Sequence, residues 1–150
     1  MITLIRANSD NPHFINLVKH LDADLAKRDG DDHAFYAQFN KTNKLKHTVV
    51  AYENEVAIGC GALREFDPQS MEVKRMYTTP EARGKGVATK ILNELETWAA
   101  ELGYKKTVLE TGKRQPEAIK LYTKNKYSRI PNYGQYADKE NSVCFEKELS

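Results

Sequence analysis

Two glycines and two basic residues alternate within the segment Arg83-Gly84-Lys85-Gly86-Val87-Ala88, directly before a long run with helical periodicity. The first turn of a helix leaves backbone N–H groups without partners, and the helix dipole adds about half a positive charge there. Glycine lets an anion approach these groups without obstruction by a Cβ atom. The segment, with formal charge from Arg83 and Lys85, therefore predicts a site for a phosphate-bearing ligand.

Three kinds of ligand use a strand, a glycine turn and a helix in this way. The Walker loop requires G-x-x-x-x-G-K-S/T, which does not occur in the sequence. The dinucleotide fingerprint requires G-x-G-x-x-G/A after the first strand of a β-α-β unit. Here Thr89 takes the place of its third small residue, and consecutive strands precede the segment. The remaining candidate is the diphosphate of coenzyme A.

The sequence resembles the GNAT superfamily of N-acetyltransferases, whose pyrophosphate loop reads Q/R-x-x-G-x-G/A, with Arg83, Gly86 and Ala88 at the specified positions. The segment 71–80, MEVKRMYTTP, resembles the fourth strand of the family and its exit. The segment 116–122, PEAIKLY, resembles the family helix that carries A-I/L-x-L/F-Y. These segments occur in the family's order between about residues 47 and 130, which makes the set more specific than the loop alone.

The resemblance implies a single acetyltransferase domain over residues 1–150 with an α/β fold of mixed α+β type. Its centre is a mixed, mostly antiparallel twisted sheet of about six or seven strands, flanked by about four helices. The implied activity moves the acetyl group of acetyl-CoA onto a primary amine of a small molecule or protein, by direct attack in a ternary complex. A non-catalytic acyl-CoA-binding or sensor module on the same fold is the alternative.

The resemblance also implies which residues contact acetyl-CoA. Gln115 stands where many family members have an asparagine that contacts the cofactor, and an amide retains that capacity. Lys126 replaces the glycine usual before the aromatic residue at the end of the last helix. The implied cofactor-binding residues are Met76, Tyr77, Thr78, Arg83, Gly84, Lys85, Gly86, Val87, Ala88, Thr89 and Gln115.

Acetyl transfer to an amine needs a base for the ammonium proton, a donor to the oxyanion and an acid for the leaving thiolate. The resemblance places Glu72 at the position of the catalytic glutamate of several members; a glutamate paired on the strand with Lys74 or Arg64 is the structural alternative. Glu110 is the second candidate base. Backbone N–H groups between residues 76 and 78 are the expected oxyanion donors.

The resemblance assigns the acid role to Tyr122, whose hydroxyl would face the thioester sulfur. A phenol with a pKa near 10 is protonated at neutral pH, as an acid must be. A tyrosine that only packs in the core is the alternative.

The acceptor site lies beyond the family motifs. Aromatic rings in two clusters could form an amine pocket through cation–π contacts, although core and loop packing are equally good explanations. Alternatively, Arg64 and Arg75 on neighbouring strands could bind a substrate carboxylate. The two aromatic clusters comprise His33, Phe35, Tyr36 and Phe39 in the first, and Tyr127, Tyr133 and Tyr136 in the second.

Hydrophobic periodicity predicts the elements that position these residues. Helices are expected from about Phe14 to Gly30, from residue 31 or 32 through 39, from 87 to 102, and from Pro116 onward. Strands are expected at 2–6, 47–53, 56–66, 71–77, 106–110 and 142–149. The second to fourth of these strands have short connections, which predicts an antiparallel meander.

The composition of the chain limits the classes of protein to which it can belong. A chain of 150 residues with 40% apolar and 29% charged residues is typical of one globular domain. A net charge of +2 does not favour nucleic acid. No apolar run suits a membrane span or signal peptide. Cys60 and Cys144 have no metal or disulfide spacing, so we expect a cytoplasmic protein without metal. The sequence is compatible with a homodimer.

Overall fold

The computed structural model describes residues 1–30 and 45–149, which form a mixed sheet with helices on its faces. Seven strands in this part of the chain follow the order β1-β2-β3-β4-β5-β7-β6, and all neighbours are antiparallel except β4 and β5. This confirms the predicted mixed, mostly antiparallel sheet. The strands are β1 (Ile2–Ala7), β2 (His47–Glu53), β3 (Val56–Asp67), β4 (Ser70–Thr78), β5 (Lys106–Gly112), β6 (Ser128–Ile130) and β7 (Ser142–Glu148).

Three α-helices lie within the described residues: α1 (Pro12–Asp29), α2 (Val87–Glu101) and α3 (Pro116–Lys124). Asn11 caps α1, because its side-chain oxygen accepts hydrogen bonds from the backbone N–H groups of His13 and Phe14. The predicted helix through residue 39, with His33, Phe35, Tyr36 and Phe39, falls outside the described residues. None of the described helices is both long and apolar enough to cross a membrane.

The two faces of the sheet carry separate apolar cores. Strand alternation sends Val49 toward α2 and its neighbour Val50 toward α1. On the α2 side, Ile91, Leu92 and Leu95 are fully buried. Each such side chain contributes roughly 2 kcal/mol by burial, which fixes α2 and the loop that precedes it on the sheet.

The parallel pair of strands is joined over a short distance only. Ser70, Met71 and Glu72 of β4 pair with residues 106–108 of β5, and no further pair joins the two strands. A bulge interrupts β4 three residues later, where Arg75 has a φ of 59°. Beyond Glu72 the two strands therefore diverge and leave a gap in the sheet.

β6, which is only three residues long, was not predicted from the sequence. Lys126, at the position where the family usually has glycine, takes a left-handed conformation with a φ of 71° as the chain leaves α3. The predicted meander of β2, β3 and β4 is confirmed.

Candidate functional site

A cavity of about 400 Å³ lies where β4 and β5 diverge, between α1, the start of α2 and α3. Its wall contains twelve of the thirteen residues that the sequence analysis assigned to cofactor binding or catalysis. These are Glu72, Met76, Tyr77, Thr78, Arg83, Gly84, Gly86, Val87, Ala88, Thr89, Gln115 and Tyr122.

The glycine loop presents the start of α2 to this cavity. Gly84 and Gly86 have φ angles of 85° and 79°, a region that side chains with a Cβ atom rarely adopt. No atom lies within 4 Å of the position that a Cβ would occupy at either glycine. Gly86 is the N-cap of α2 and has no side chain to cap it. The first amides of the helix consequently face open space in which an anion fits.

Of the two basic residues of this loop, Arg83 lines the cavity. Its Nε donates a hydrogen bond to the carbonyl oxygen of Thr78 at 3.0 Å, and its guanidinium lies 5.8 Å from the ring centre of Tyr77. Lys85, the thirteenth predicted residue, does not line the cavity. Its Nζ lies 3.3 Å from a carboxylate oxygen of Glu53, and its side chain is 51% exposed.

The far half of β4 forms one wall of the cavity. Tyr77 and Thr78 pair with Cys60 and Gly59 of β3 on one side. On its other side this half of β4 pairs with no strand of the described chain, so backbone groups of that edge face the gap. Since backbone N–H and C=O groups require partners, this edge suits a ligand with amide groups.

Tyr122 of α3 faces the cavity from the other side. The residue is 6% exposed, and its ring contacts that of Tyr127 edge to face, with 5.7 Å between centres. Burial, together with the negative charge of Glu110, raises the pKa of the Tyr122 hydroxyl above its ordinary value. The hydroxyl is therefore a proton donor at neutral pH.

Glu72 is a buried carboxylate with several donors. It is 2% exposed. One oxygen accepts a hydrogen bond from Arg64 at 3.1 Å and lies 3.9 Å from Lys74 Nζ, and the other accepts from the Tyr133 hydroxyl at 2.7 Å. Both pairings of the structural alternative therefore occur. Glu110 of β5 lines the same cavity and is less buried than Glu72.

The aromatic residues near the C-terminus do not form the single cluster that the sequence analysis considered. Tyr136 lines the cavity and Tyr133 contacts it with 6.0 Å between ring centres. Tyr127 instead lies on the α2 side, where its hydroxyl is 2.7 Å from Thr107 Oγ1 and donates to Glu96 at 3.0 Å. Tyr127 is therefore part of the core network rather than of an acceptor pocket.

The two arginines considered for a substrate carboxylate already have protein carboxylates as partners. Arg64 binds Glu72, and the Arg75 guanidinium donates to Asp22 of α1. Lys74, which also lines the cavity, was considered only as a partner of Glu72. In the sequence, Gly61 of β3 was the signal for the irregularity in β4 next to Lys74, because a glycine inside a strand indicates a bulge or a close approach. A Cβ atom at Gly61 would lie 2.5 Å from the sulfur of Met76.

Among the described residues, no group of three or more His, Cys, Asp or Glu side chains is arranged to hold a metal ion. Cys60 and Cys144 are buried free thiols.

Comparison with known proteins gives a consistent family. The acetyltransferase (GNAT) family profile matches residues 14–127. An uncharacterised N-acetyltransferase of Bacillus subtilis is 35% identical over 101 residues, which cover 66% of this chain and 67% of the relative. A Klebsiella pneumoniae structure assigned as an acyl-CoA N-acyltransferase superimposes with a TM-score of 0.84 at 28% identity, over 100% of this chain and 99% of its own.

A GNAT acetyltransferase from Elizabethkingia anophelis, solved with acetyl-CoA bound, shares the fold with a TM-score of 0.73 at 18% identity, over 99% of this chain and 98% of its own. The glycine loop, the divergent strands and the tyrosine helix thus occur in a chain that the family profile matches over most of its length. The protein belongs to the GNAT family of acetyltransferases and is an acyltransferase.

Proposed function

We propose that the cavity between β4 and β5 binds acetyl-CoA and that the enzyme transfers its acetyl group onto a primary amine of a small molecule or peptide. The observation that carries the proposal is the uncapped start of α2, which opens into the same cavity as Tyr122. The diphosphate takes the amides of the segment 84–89, with Arg83 beside it. The acetyl-CoA bound to the Elizabethkingia protein of the same fold supports this choice of ligand.

The thin pantetheine arm lies along the open edge of β4. Its amide groups pair with the backbone at Met76 to Thr78 as an additional strand would. Gln115, at the start of α3, contacts the cofactor from the opposite wall. The thioester carbonyl oxygen accepts a hydrogen bond from a backbone N–H of this stretch of β4, and this bond stabilises the oxyanion.

The reaction proceeds by direct attack. A carboxylate removes the proton of the acceptor ammonium, and the neutral nitrogen forms a bond to the acetyl carbon. When the C–S bond breaks, the Tyr122 hydroxyl donates its proton to the departing sulfur, and the attacking nitrogen gives up its second proton, which restores the hydroxyl. The products are an acetylated amine and coenzyme A with a free thiol.

Glu72 is the proposed base and Glu110 the alternative. Arg64 and Tyr133 fix the orientation of Glu72, which suits a base, but they also occupy its two oxygens. Glu110 approaches the cavity from β5 and acts electrostatically on Tyr122. Both carboxylates line the cavity and either can serve as the base, so a pair of matched variants must decide between them.

An acceptor screen that follows thiol release from acetyl-CoA tests the function and the base together. Wild type should release thiol with at least one primary amine. Glu72→Gln should reduce kcat by about a hundredfold and Glu110→Gln by much less. The opposite order would assign the base to Glu110, and full activity in both variants would remove the carboxylates from the mechanism.

We further propose a cytoplasmic location. The support is that Cys60 and Cys144 are both free thiols, as expected in a reducing compartment.

A further inference from the structure

A bulge in β4 turns two consecutive cations, Lys74 and Arg75, toward the same side of the sheet. Met71 and Val73 pack in the core beneath α2, so strand alternation directs Lys74 to the face that α1 covers. Alternation would return Arg75 to the α2 side, but Arg75 lies in the bulge with a φ of 59° and pairs with Asp22 of α1. Both cations line the cavity.

Among the described residues Lys74 makes no hydrogen bond, and its nearest carboxylate is shared with other donors. Its Nζ lies 3.9 Å from the oxygen of Glu72 that already accepts a hydrogen bond from Arg64 at 3.1 Å. The other oxygen of Glu72 is occupied by Tyr133. The Nε of Arg75 is buried and has no hydrogen-bond partner among the described residues. Glu72 therefore serves two cations and a phenol, while the guanidinium of Arg75 beside them pairs with Asp22 and Glu110 lines the same cavity.

Lys74 is also poorly solvated, since its side chain is only 8% exposed. Burial lowers the pKa of its ammonium group, although Glu72 and Glu110 act in the opposite direction, and Arg64 and Arg75 lower the pKa further. A buried cation with incomplete compensation is stabilised by an additional anion. The cavity that the acceptor must enter gives such an anion access to Lys74.

We propose that the acceptor carries a carboxylate next to its amine, as an α-amino acid does, and that Lys74 binds this carboxylate. The inference rests on the proposed acetyl transfer. Lys74 precedes Met76 by two residues, a separation of at most about 7 Å along a strand. A carboxylate held by Lys74 therefore leaves the adjacent amine beside the thioester, with Glu72 and Glu110 on the walls of the same cavity.

Matched acceptor triplets test the proposal. The twenty standard L-amino acids are compared with their carboxamides and their decarboxylated amines, with spermidine and glucosamine as further amines, by thiol release from acetyl-CoA. For the best amino acid, we expect kcat/KM to fall by about tenfold or more in the amide and in the amine, mainly through a higher KM, because one charged contact is lost. Amides or simple amines that equal or exceed the amino acids would overturn the proposal.

Variants of Lys74 supply the second arm. Lys74→Gln should abolish most of the discrimination between an amino acid and its amide, and Lys74→Arg should retain part of it. Lys105→Gln, which removes the same charge from an exposed position, should leave discrimination unchanged. Discrimination that persists in Lys74→Gln would contradict the assignment to Lys74. The wild-type triplets decide the acceptor class even if Lys74→Gln fails to fold. Absence of thiol release with every amine would instead count against the proposed function.

Discussion

Burial determines the chemical state of the side chains around the cavity. Tyr122 is buried beside a carboxylate, so its proton is held more tightly than that of a free phenol. Glu72 is as deeply buried but receives donors at both oxygens, which is how a carboxylate remains stable inside a protein. The same environment thus yields one proton donor and one fixed anion, the two types of group that acetyl transfer requires.

Replacement of Tyr122 by phenylalanine tests the role of its hydroxyl. The ring and its contacts with Tyr127 and Phe145 remain, so we expect a normal fold and an unchanged KM for acetyl-CoA. The thiolate loses its acid, and kcat should fall by more than about tenfold. Tyr104→Phe is the matched control, because its hydroxyl bonds Glu65 on the surface. Equal kcat values for Tyr122→Phe and wild type would remove this tyrosine from the mechanism.

Among the residues of the site, local motifs could be predicted from the sequence, whereas contacts between residues far apart in the chain could not. Arg83, Gly84 and Gly86 are informative because their chemistry depends on neighbours within a few positions. The contact of Tyr133 with Glu72 spans 61 positions, and that of Arg75 with Asp22 spans 53. Such pairs depend on how strands and loops meet in space, which hydrophobic periodicity does not encode.

Elements set the geometry of the cavity through two irregularities. The glycine loop places the uncapped start of α2 at one end, and the divergence of β4 from β5 opens the wall. The buried stripe of Ile91, Leu92 and Leu95 holds α2 against the sheet. Because the helix is fixed by its core face, its first amides are held in place for the proposed diphosphate before any ligand arrives.

Gly86→Ala should separate the binding role of the loop from its backbone strain. Alanine at a φ of 79° costs about 1 kcal/mol of stability and places a methyl group in the space proposed for the diphosphate. We expect the Kd for coenzyme A, measured by calorimetry, to rise at least about tenfold.

Gly103→Ala provides the matched control for this experiment. Gly103 follows α2 with a φ of 95° and also has open space at its Cβ position, but it does not line the cavity. It should lose similar stability with unchanged affinity for coenzyme A. If both variants bind equally well, the loop is not the diphosphate site.

Lys126→Gly should stabilise the protein. Lys126 has a φ of 71°, a conformation that disfavours a side chain and that glycine adopts readily. Relief of this strain, less the extra freedom of glycine in the unfolded chain, should raise the free energy of unfolding by about 0.5–1 kcal/mol. Urea denaturation measures the change, and a lower midpoint than wild type would show that Lys126 makes a compensating contact.

Long, periodic elements were predictable, and short or irregular ones were not. The apolar stripe of α2, and the β-branched and aromatic content of β2 and β3, predicted those elements correctly. β6 has three residues, too few for a period, and it exists because it pairs with β7. The bulge at Arg75 also has no periodic pattern of apolar residues to predict it. The sequence indicates it only through Gly61, the glycine opposite the bulge in β3.

Several tyrosine side chains lie in the interior of the molecule. Burial is the main cause that raises the pKa of each, with nearby carboxylates as a further cause. Within residues 1–30 and 45–149, four tyrosines have strongly raised pKa values: Tyr122, Tyr127, Tyr133 and Tyr136.

This predicts the alkaline stability of the protein. Below pH of about 10 these phenols are protonated in both folded and unfolded states, so their contribution to stability is complete. Above that pH the unfolded state loses protons first, and the free energy of unfolding falls as pH rises toward the folded pKa values. Tyrosinate absorbance should therefore appear in two stages, the second coinciding with loss of tertiary structure. A single stage in the folded protein would contradict this.

In the proposed complex, coenzyme A lies in the gap between β4 and β5 with its diphosphate on α2. Titration of the nitrogen-15-labelled protein with coenzyme A, followed through backbone amide resonances, tests it most directly. We predict saturable shifts concentrated at residues 84–89 and 76–78. Absence of shifts, or shifts confined to a second cavity lined by Arg129 and Val143, would contradict this placement.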